Sequence, residues 1–354
     1  MRVIRLGIIG CGRIADVQLP GYLRMPEARV VAVCDLDPAT AERRRLEWGA
    51  ERAFTDPLAL LTQPDLDAVE ILTPHHTHRD LVLAACAAGK HVSVQKPMAM
   101  NLRECDEMIE AARQAKVVLR VYENFVHYPP YVKARELIEQ GAIGEPLSIR
   151  LRIGSVGAGG WPVPMRTWLW RLREESCGGG PTVWDDGFHK FSVARHLLGP
   201  IESVHAWIDR SFGLIDSPAM VTWTHLEPGR TGCIDASYGP YTGIRSRYYP
   251  VDERVEILGA EGLLQVNACT ARLVEGPPLL LHHDGRTIAF EDLRSDWLDS
   301  FVDASQHFVR RLLDGGEQLL SGERGRDVTR FALAALRSAR LGRSVRIEEM
   351  EEAP

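Results

Sequence analysis

The stretch Leu6-Gly7-Ile8-Ile9-Gly10-Cys11-Gly12-Arg13-Ile14-Ala15 constrains this chain more than any other. Its apolar run reads as a buried strand. Gly10 and Gly12 allow a tight turn in which backbone approaches a ligand with no Cβ in the way, and Ala15 lets the following helix lie close to the sheet. The helix start brings backbone N–H groups and a partial positive charge to a place where a pyrophosphate can sit. Two neighbouring glycines are common, so the pattern is weak by itself. A second apolar strand, Arg29-Val30-Val31-Ala32-Val33-Cys34, strengthens it. That strand ends at Asp35, about 20 residues after Ala15, where an acid that binds a ribose diol is expected. The combination points to a dinucleotide-binding domain. The alternative is a glycine turn in a doubly wound domain that binds nothing.

Further apolar strands are expected at 67–72, 91–94 and 117–121, with helices at 77–88 and 101–115 between them. Asn101 suits a helix N-cap, with Glu104 at the capping-box position. Alternating strands and helices imply an α/β domain over 1–122, a doubly wound parallel sheet covered on both faces. From 123 to 354 the texture changes. A helix at 131–140 and a strand at 147–153 lead into a Gly-, Pro- and Trp-rich stretch, 154–180. After a helix at 188–198, strands are expected at 204–210, 219–226, 231–238, 254–258 and 263–266. Such a run implies a second α/β domain built on a large, mainly antiparallel sheet. Amphipathic helices at 297–314 and 323–341 close the chain, and the last is a candidate to pack back towards the first domain.

The chain's 354 residues suit two domains, and 45% hydrophobic with 25% charged residues is a globular composition. The net charge of −6 gives no electrostatic case for nucleic acid or an anionic membrane. Seven scattered cysteines without a Cys-x-x-Cys pair suggest reduced thiols. No apolar run approaches the roughly 20 residues of a membrane span. With no leader pattern at the N-terminus, a cytoplasmic location is expected.

An open parallel sheet binds ligand beyond the carboxyl ends of its strands. Candidate site residues are therefore Gly10 to Ala15, Asp35, Thr73-Pro74-His75-His76, Gln95-Lys96-Pro97 and Tyr122-Glu123-Asn124. A carboxylate at Asp35 repels a 2′-phosphate and favours NAD over NADP; Arg13 and Arg43 to Arg45 can blunt that preference, so NADP stays open. Lys96 reads either as a cleft ammonium or as an ordinary solvent-facing lysine at a strand end. Asp185 and His189 are four apart in Gly178-Gly179-Gly180-Pro181-Thr182-Val183-Trp184-Asp185-Asp186-Gly187-Phe188-His189-Lys190. On one helix face they make a carboxylate-oriented imidazole able to accept a hydroxyl proton. The plainer reading makes Asp185 an N-cap and His189 a packed histidine. His75, His76 and His78 have no acid or cysteine at ligand spacing, so no metal site is expected. Trp161, Trp168, Trp170 and Trp184 crowd one region, either as aromatic walls for a sugar ring or nicotinamide or as a loop packed by its own tryptophans.

These stations, in this order, resemble the Gfo/Idh/MocA oxidoreductases, the relatives of glucose–fructose oxidoreductase and inositol dehydrogenase. Gly10-Cys11-Gly12-Arg13-Ile14-Ala15 resembles their dinucleotide turn, Thr73-Pro74 with His78 the segment after the fourth strand, and Gln95-Lys96-Pro97 their Glu-Lys-Pro motif. Trp170-Arg171, Gly178-Gly179-Gly180 and Asp185-x-Gly187-x-His189 resemble the middle motifs. Glu256-Ile257-Leu258-Gly259-Ala260-Glu261-Gly262, Ser321-Gly322-Glu323 and Ala339-Arg340-Leu341-Gly342 resemble those of the second domain. The resemblance implies a Rossmann domain, then a domain whose open sheet forms the oligomer surface of a homodimer or homotetramer. It implies NAD(P)-dependent hydride transfer at a secondary alcohol of a sugar, sugar derivative or cyclitol. It implies Lys96, Asp185 and His189 as catalytic residues. Cofactor contacts fall to Gly10, Gly12, Arg13, Ile14, Asp35, Thr73, Pro74, His78, Gln95, Lys96 and Arg171. Substrate contacts fall to Asn124 and Trp168, and Asp186 and Lys190 are candidates for substrate contacts specific to this protein. Three positions depart from the family pattern: Gln95 stands for glutamate, Phe125-Val126-His127 occupies a segment where relatives often carry arginine, and Lys190 and Ser192 follow His189. Two alternatives are a redox enzyme that recycles a tightly bound nicotinamide and a non-catalytic nucleotide sensor.

Overall fold

The first strand of the computed structural model, which describes residues 2–162, 164–210, 215–267 and 270–351, is β1 (Ile4–Ile9). Ile4, Leu6 and Ile8 on it are fully buried, and so is Gly7's neighbourhood, where an added Cβ would lie 2.8 Å from Leu60. A strand buried on both faces needs helices on both sides. β2 (Ala28–Cys34), β3 (Arg52–Phe54), β4 (Ala68–Ile71), β5 (His91–Gln95) and β6 (Leu119–Tyr122) join it in a six-stranded sheet of order β3-β2-β1-β4-β5-β6. All five pairings are parallel. The winding direction reverses between β1 and β4, so the carboxyl end of β1, where Gly10 follows, is the switch point. The connecting helices are α1 (Ala15–Leu23), α2 (Pro38–Trp48), α3 (Pro57–Leu61), α4 (His78–Ala87) and α5 (Leu102–Ala115). Asn101 caps α5 as expected, its side chain accepting from the Glu104 N–H at 2.9 Å.

The chain divides into two units, and the division is discontinuous. One unit holds residues up to Asn124 together with Arg173–Gly178 and Phe301–Thr329; the other holds Phe125–Leu172, Gly179–Ser300 and the chain from Arg330 on. Sequence periodicity gives the continuous division 1–122 and 123–354, because it cannot see what the late segments bury against. Within the first unit a polar knot draws them in. Glu70 is fully buried and accepts from Tyr22 Oη and from Ser93 Oγ (2.9 Å). Arg120 donates to Ser93 Oγ at 2.8 Å and to the Ala304 carbonyl at 2.6 Å, while Tyr122 Oη donates to the Phe301 carbonyl at 2.9 Å. Burial pushes the Glu70 carboxyl up to about 7, against the opposing pull of Arg120, Tyr22 and Ser93.

The second unit is built on nine strands: β7 (Pro146–Ala158), β8 (Ile201–Ile208), β9 (Ala219–His225), β10 (Thr231–Gly243), β11 (Val251–Gly259), β12 (Gly262–Asn267), β13 (Leu279–His283), β14 (Arg286–Phe290) and β15 (Val345–Arg346). Their order is β14-β13-β12-β11-β7-β10-β9-β8-β15. Every pairing is antiparallel except that of β7 with β10 at the centre, so the sheet is mixed and mostly antiparallel. Side chains alternate. On β9, Ala219, Val221, Trp223 and His225 are buried while Met220 and Thr222 are exposed, so one face is covered and one is open. The covered face meets α6 (Gly187–Leu198). There Phe191 contacts Phe331 with ring centroids 4.5 Å apart, and Trp223 meets the same ring at 5.1 Å. Among the described residues no helix is long and apolar enough to cross a membrane.

Candidate active site

The candidate residues fall in both units. In the first, the glycine turn is held by backbone and by one acid. Gly10 has φ +92°, and a Cβ there would lie 2.5 Å from the Leu72 carbonyl oxygen, so only glycine fits. At Gly12 an added Cβ would meet nothing within 4 Å, which leaves the turn open on that side. No side chain caps α1; the Ala15, Asp16 and Val17 N–H groups instead donate to the Gly12, Arg13 and Ile14 carbonyls at 3.2, 3.1 and 3.2 Å, which closes the turn onto the helix. Asp35 accepts from the Cys11 N–H at 2.9 Å and from the Asp37 N–H at 3.0 Å. One oxygen therefore ties the end of β2 to the glycine turn, and each oxygen keeps lone-pair capacity for further donors. Arg13 pairs with Asp16 at 3.0 Å.

Beyond β4 and β5 the chain makes two turns joined by an imidazole. Thr77 Oγ1 donates towards Thr73 Oγ1 and the Pro74 carbonyl, each at 2.7 Å, and closes the first turn. His78 is fully buried. Its Nε2 contacts the Thr73 carbonyl at 2.9 Å, and its Nδ1 contacts the Pro97 and Met98 carbonyls at 3.0 and 3.2 Å. Burial lowers its pKa, and these carbonyls oppose that shift. His78 thus fastens the segment after Lys96 to the segment after β4. Gln95 folds its Oε1 onto the Lys96 N–H at 2.8 Å, so it serves the backbone beside Lys96. Lys96 is half-buried and precedes a cis Pro97, and Asn124, after β6, is buried. His75 and His76 contact the carbonyls of Cys177 (2.7 Å) and Ser176 (3.4 Å) through Nδ1. Among the described residues no group of three or more His, Cys, Asp or Glu side chains is placed to hold a metal.

In the second unit the Gly178-Gly179-Gly180 segment shapes a turn that carries Asp185. A Cβ on Gly179 would lie 2.6 Å from Trp184 Cβ, and one on Gly180 would lie 2.1 Å from Asp216 Cγ. Asp216 lies against this turn because its two oxygens accept from the Thr182 and Val183 N–H groups, each at 2.7 Å. Residues Pro181–Asp186 form a π-type turn, in which the Asp185 N–H donates to the Gly180 carbonyl at 3.2 Å. Asp185 therefore precedes α6 and sits on a wider winding than the helix that carries His189, so the expectation of one shared α-helical face needs correcting. Its carboxylate accepts from Arg171 Nε at 2.7 Å, and the Arg171 guanidinium lies 4.4 Å from the Trp170 ring centre. The His189 ring stacks on Phe125, with centroids 4.1 Å apart and planes 15° from parallel.

Lys190 carries a buried charge. Its ammonium, 3% exposed, pairs with Glu253 and with Asp186 at 2.9 Å, and it lies 4.9 Å from the Phe125 ring centre. Burial alone would lower its pKa; the two carboxylates outweigh that and raise it. The expected substrate contact at Lys190 is thus an ammonium committed to two acids, and Asp186 is the more exposed member of the cluster. Of the crowded tryptophans, Trp184 is fully buried and Trp161 is packed by Tyr248, Tyr249 and Trp297. Trp168, at the end of Met165–Trp168, is half-buried.

Sequence reasoning did not find Asp216, Glu253 or the platform role of Phe125. Asp216 and Glu253 act 34 and 63 positions away from their partners, beyond the reach of any local pattern. Phe125 did carry a signal, an aromatic side chain just past the end of β6.

Comparison with known proteins bears on this arrangement. Residues 4–123 match the oxidoreductase family with an NAD-binding Rossmann fold, and residues 131–265 match the GFO/IDH/MocA C-terminal domain. Myo-inositol 2-dehydrogenase of Thermotoga maritima is 28% identical, over 98% of this chain and 99% of its own length. D-apiose dehydrogenase of Paraburkholderia graminis is 30% identical, over 98% of this chain and 91% of its own. An Agrobacterium radiobacter oxidoreductase, solved in complex with NAD+, L-tartaric acid and magnesium, superposes with a TM-score of 0.84. It is 26% identical and covers 98% of this chain and 99% of its own.

Proposed function

The chain belongs to the Gfo/Idh/MocA family of NAD-binding oxidoreductases, and on that premise we propose that it transfers a hydride between nicotinamide and a secondary alcohol or ketone of a sugar, sugar derivative or cyclitol. The observation that carries this reading is the pair of built supports in the second unit: Asp185 fixed by Arg171, and His189 stacked on Phe125. Relatives named for myo-inositol and D-apiose support the polyol class.

The open side at Gly12 and the φ of Gly10 fit a pyrophosphate laid along the turn before α1, so Gly10, Gly12, Arg13 and Ile14 would hold it. Asp35 would accept from the adenosine ribose, and Thr73, Pro74, Gln95 and Lys96 would line the nicotinamide half. His78 supports those turns through three carbonyls. Bound NAD supplies the hydride acceptor at its nicotinamide ring and, when reduced, the donor for the reverse reaction. His189 takes the hydroxyl proton as the C–H bond breaks. Lys96 donates to the same oxygen and stabilises its developing negative charge, a kind of contact worth about 3 kcal/mol per well-placed donor. Asp185, steadied by Arg171, orients the imidazole or accepts from a neighbouring hydroxyl. Asn124, Trp168 and Asp186 contact the substrate, with Lys190 holding Asp186 in place.

A homodimer or homotetramer through the open sheet face is part of this reading; exposed Trp207, Met220 and Leu258 support it. A cytoplasmic location is supported by six free cysteines among the described residues. The test is a panel of sugars, cyclitols and sugar acids with NAD and NADP, followed by absorbance of the reduced nicotinamide. Turnover of at least one polyol is expected. No turnover across the panel by protein that binds NAD would refute the assignment.

A further inference from the structure

We propose that Asp16 selects NAD over NADP by committing two guanidinium groups that a 2′-phosphate would need. The inference rests on the reading of Asp35 as the ribose acceptor. Asp16 lies in the first turn of α1, and both of its oxygens are engaged: Oδ1 pairs with Arg44 Nη2 at 2.6 Å and Oδ2 with Arg13 Nη1 at 3.0 Å. Arg13 immediately follows Gly12, and Arg44 lies on α2, whose N-cap Asp37 is two residues after Asp35. Arg44 is the more deeply held. Its side chain is 12% exposed, its Nη1 pairs with Glu47 at 2.8 Å, and its guanidinium lies 5.0 Å from the Trp48 ring centre. The neighbouring arginines of α2 are also paired, Arg43 with Glu47 at 3.1 Å and Arg45 with Glu42 at 2.7 Å.

Asp35 and Asp16 both engage the glycine turn, one at Cys11 and the other at Arg13. The Cys11 thiol, pushed up to about 12 mainly by burial, is raised further by the Asp35 charge and lowered by that of Arg44. The same Cys11 gives its N–H to Asp35. Asp35, through the Cys11 N–H, and Asp16, through Arg13 and Arg44, therefore meet at the same glycine turn. A phosphate dianion there would meet a carboxylate, while the arginines suited to bind it are satisfied by Asp16 and Glu47. NADP is disfavoured twice, by the charge on Asp35 and by the prior engagement of the cations. NAD carries a hydroxyl at that position and needs neither arginine.

Binding to the purified full-length chain tests this, by calorimetry with NAD+, NADP+, 5′-AMP and 2′,5′-ADP. Asp16→Ala is expected to tighten NADP+ and 2′,5′-ADP about tenfold or more while NAD+ and 5′-AMP change less than about threefold. Asp16→Asn keeps the side-chain volume and should shift the ratio the same way by a smaller factor, so it carries the test if the alanine variant does not fold. Adding Arg44→Met to Asp16→Ala should remove the gain. An unchanged NADP+/NAD+ ratio in the Asp16 variants, alongside weakened NAD+ binding in Asp35→Ala, overturns the selector and leaves the ribose reading intact. An Asp35→Ala protein that binds NAD+ like wild type overturns both.

Discussion

Lys190→Met separates two roles for the same side chain, a substrate contact and a buried counter-charge. The geometry favours the second. Lys190 and Glu253 are 3% and 2% exposed, so removing the ammonium leaves the Glu253 carboxylate buried without its cation. Breaking a buried pair in this way typically costs about 3–5 kcal/mol. Glu253 still accepts from Thr270 N–H at 3.0 Å and Oγ1 at 2.6 Å, and Asp186 at 30% exposure can rehydrate. Both place the expectation near the lower end, about 3 kcal/mol. Adding Glu253→Gln removes the stranded charge and should recover about 2 kcal/mol, because deleting both members of a buried pair is often nearly neutral. The assay is urea unfolding followed by tryptophan fluorescence. Of the eight tryptophans only Trp48 lies outside the second unit, so the signal reports on the unit that holds the pair. A Lys190→Met protein as stable as wild type, with a tenfold higher KM for the polyol, would refute the buried-pair account and return Lys190 to the substrate.

Glu70→Gln should flatten the pH dependence of the first unit's stability. Folding raises the Glu70 pKa from the ordinary 4.5 to about 7, so its contribution is fully present below 4.5 and is lost as pH rises through 7. The shift of 2.5 corresponds to about 3 kcal/mol. Urea midpoints that fall in parallel for wild type and variant between pH 5 and 7.5 would show that Glu70 does not titrate there. Gly180→Ala should lower turnover about tenfold or more with little change in NAD affinity, since its Cβ would lie 2.1 Å from the Asp216 carboxyl carbon and the turn bearing Asp185 must move; wild-type kinetics would dismiss that role. Trp207→Glu should shift the oligomer towards monomer in light scattering if the open sheet face joins copies, and an unchanged mass would point to another surface.

Much of the first unit was legible because its determinants are local. Gly10, Gly12 and Asp35 are spaced by the strand-turn-helix geometry itself, and Asn101 with Glu104 announces a helix start within four residues. The hairpin of β13 and β14 was overlooked despite a local signal: Asp284 and Gly285 adopt φ +50° and +68°, and Asp-Gly favours this turn. The parallel pairing of β7 with β10 was not legible, since adjacency in a mixed sheet is decided by packing over many residues. In the site, Asp185 and His189 were legible as residue types at a suggestive spacing. Their settings were not. The π-type turn follows from Asp216 gripping two amides from 34 positions away, and Arg171 reaches Asp185 across an irregular segment. Lys190 looked like a polar residue available to ligand because its partner Glu253 is remote in sequence.

The central claim is that His189 takes the proton of the reacting alcohol. Its most direct test is the turnover of His189→Ala on the best polyol of the panel, measured together with NAD affinity. Loss of a general base predicts a fall of about 10²-fold or more, with NAD binding within threefold of wild type. Turnover equal to wild type would contradict the account and remove His189 from the chemistry.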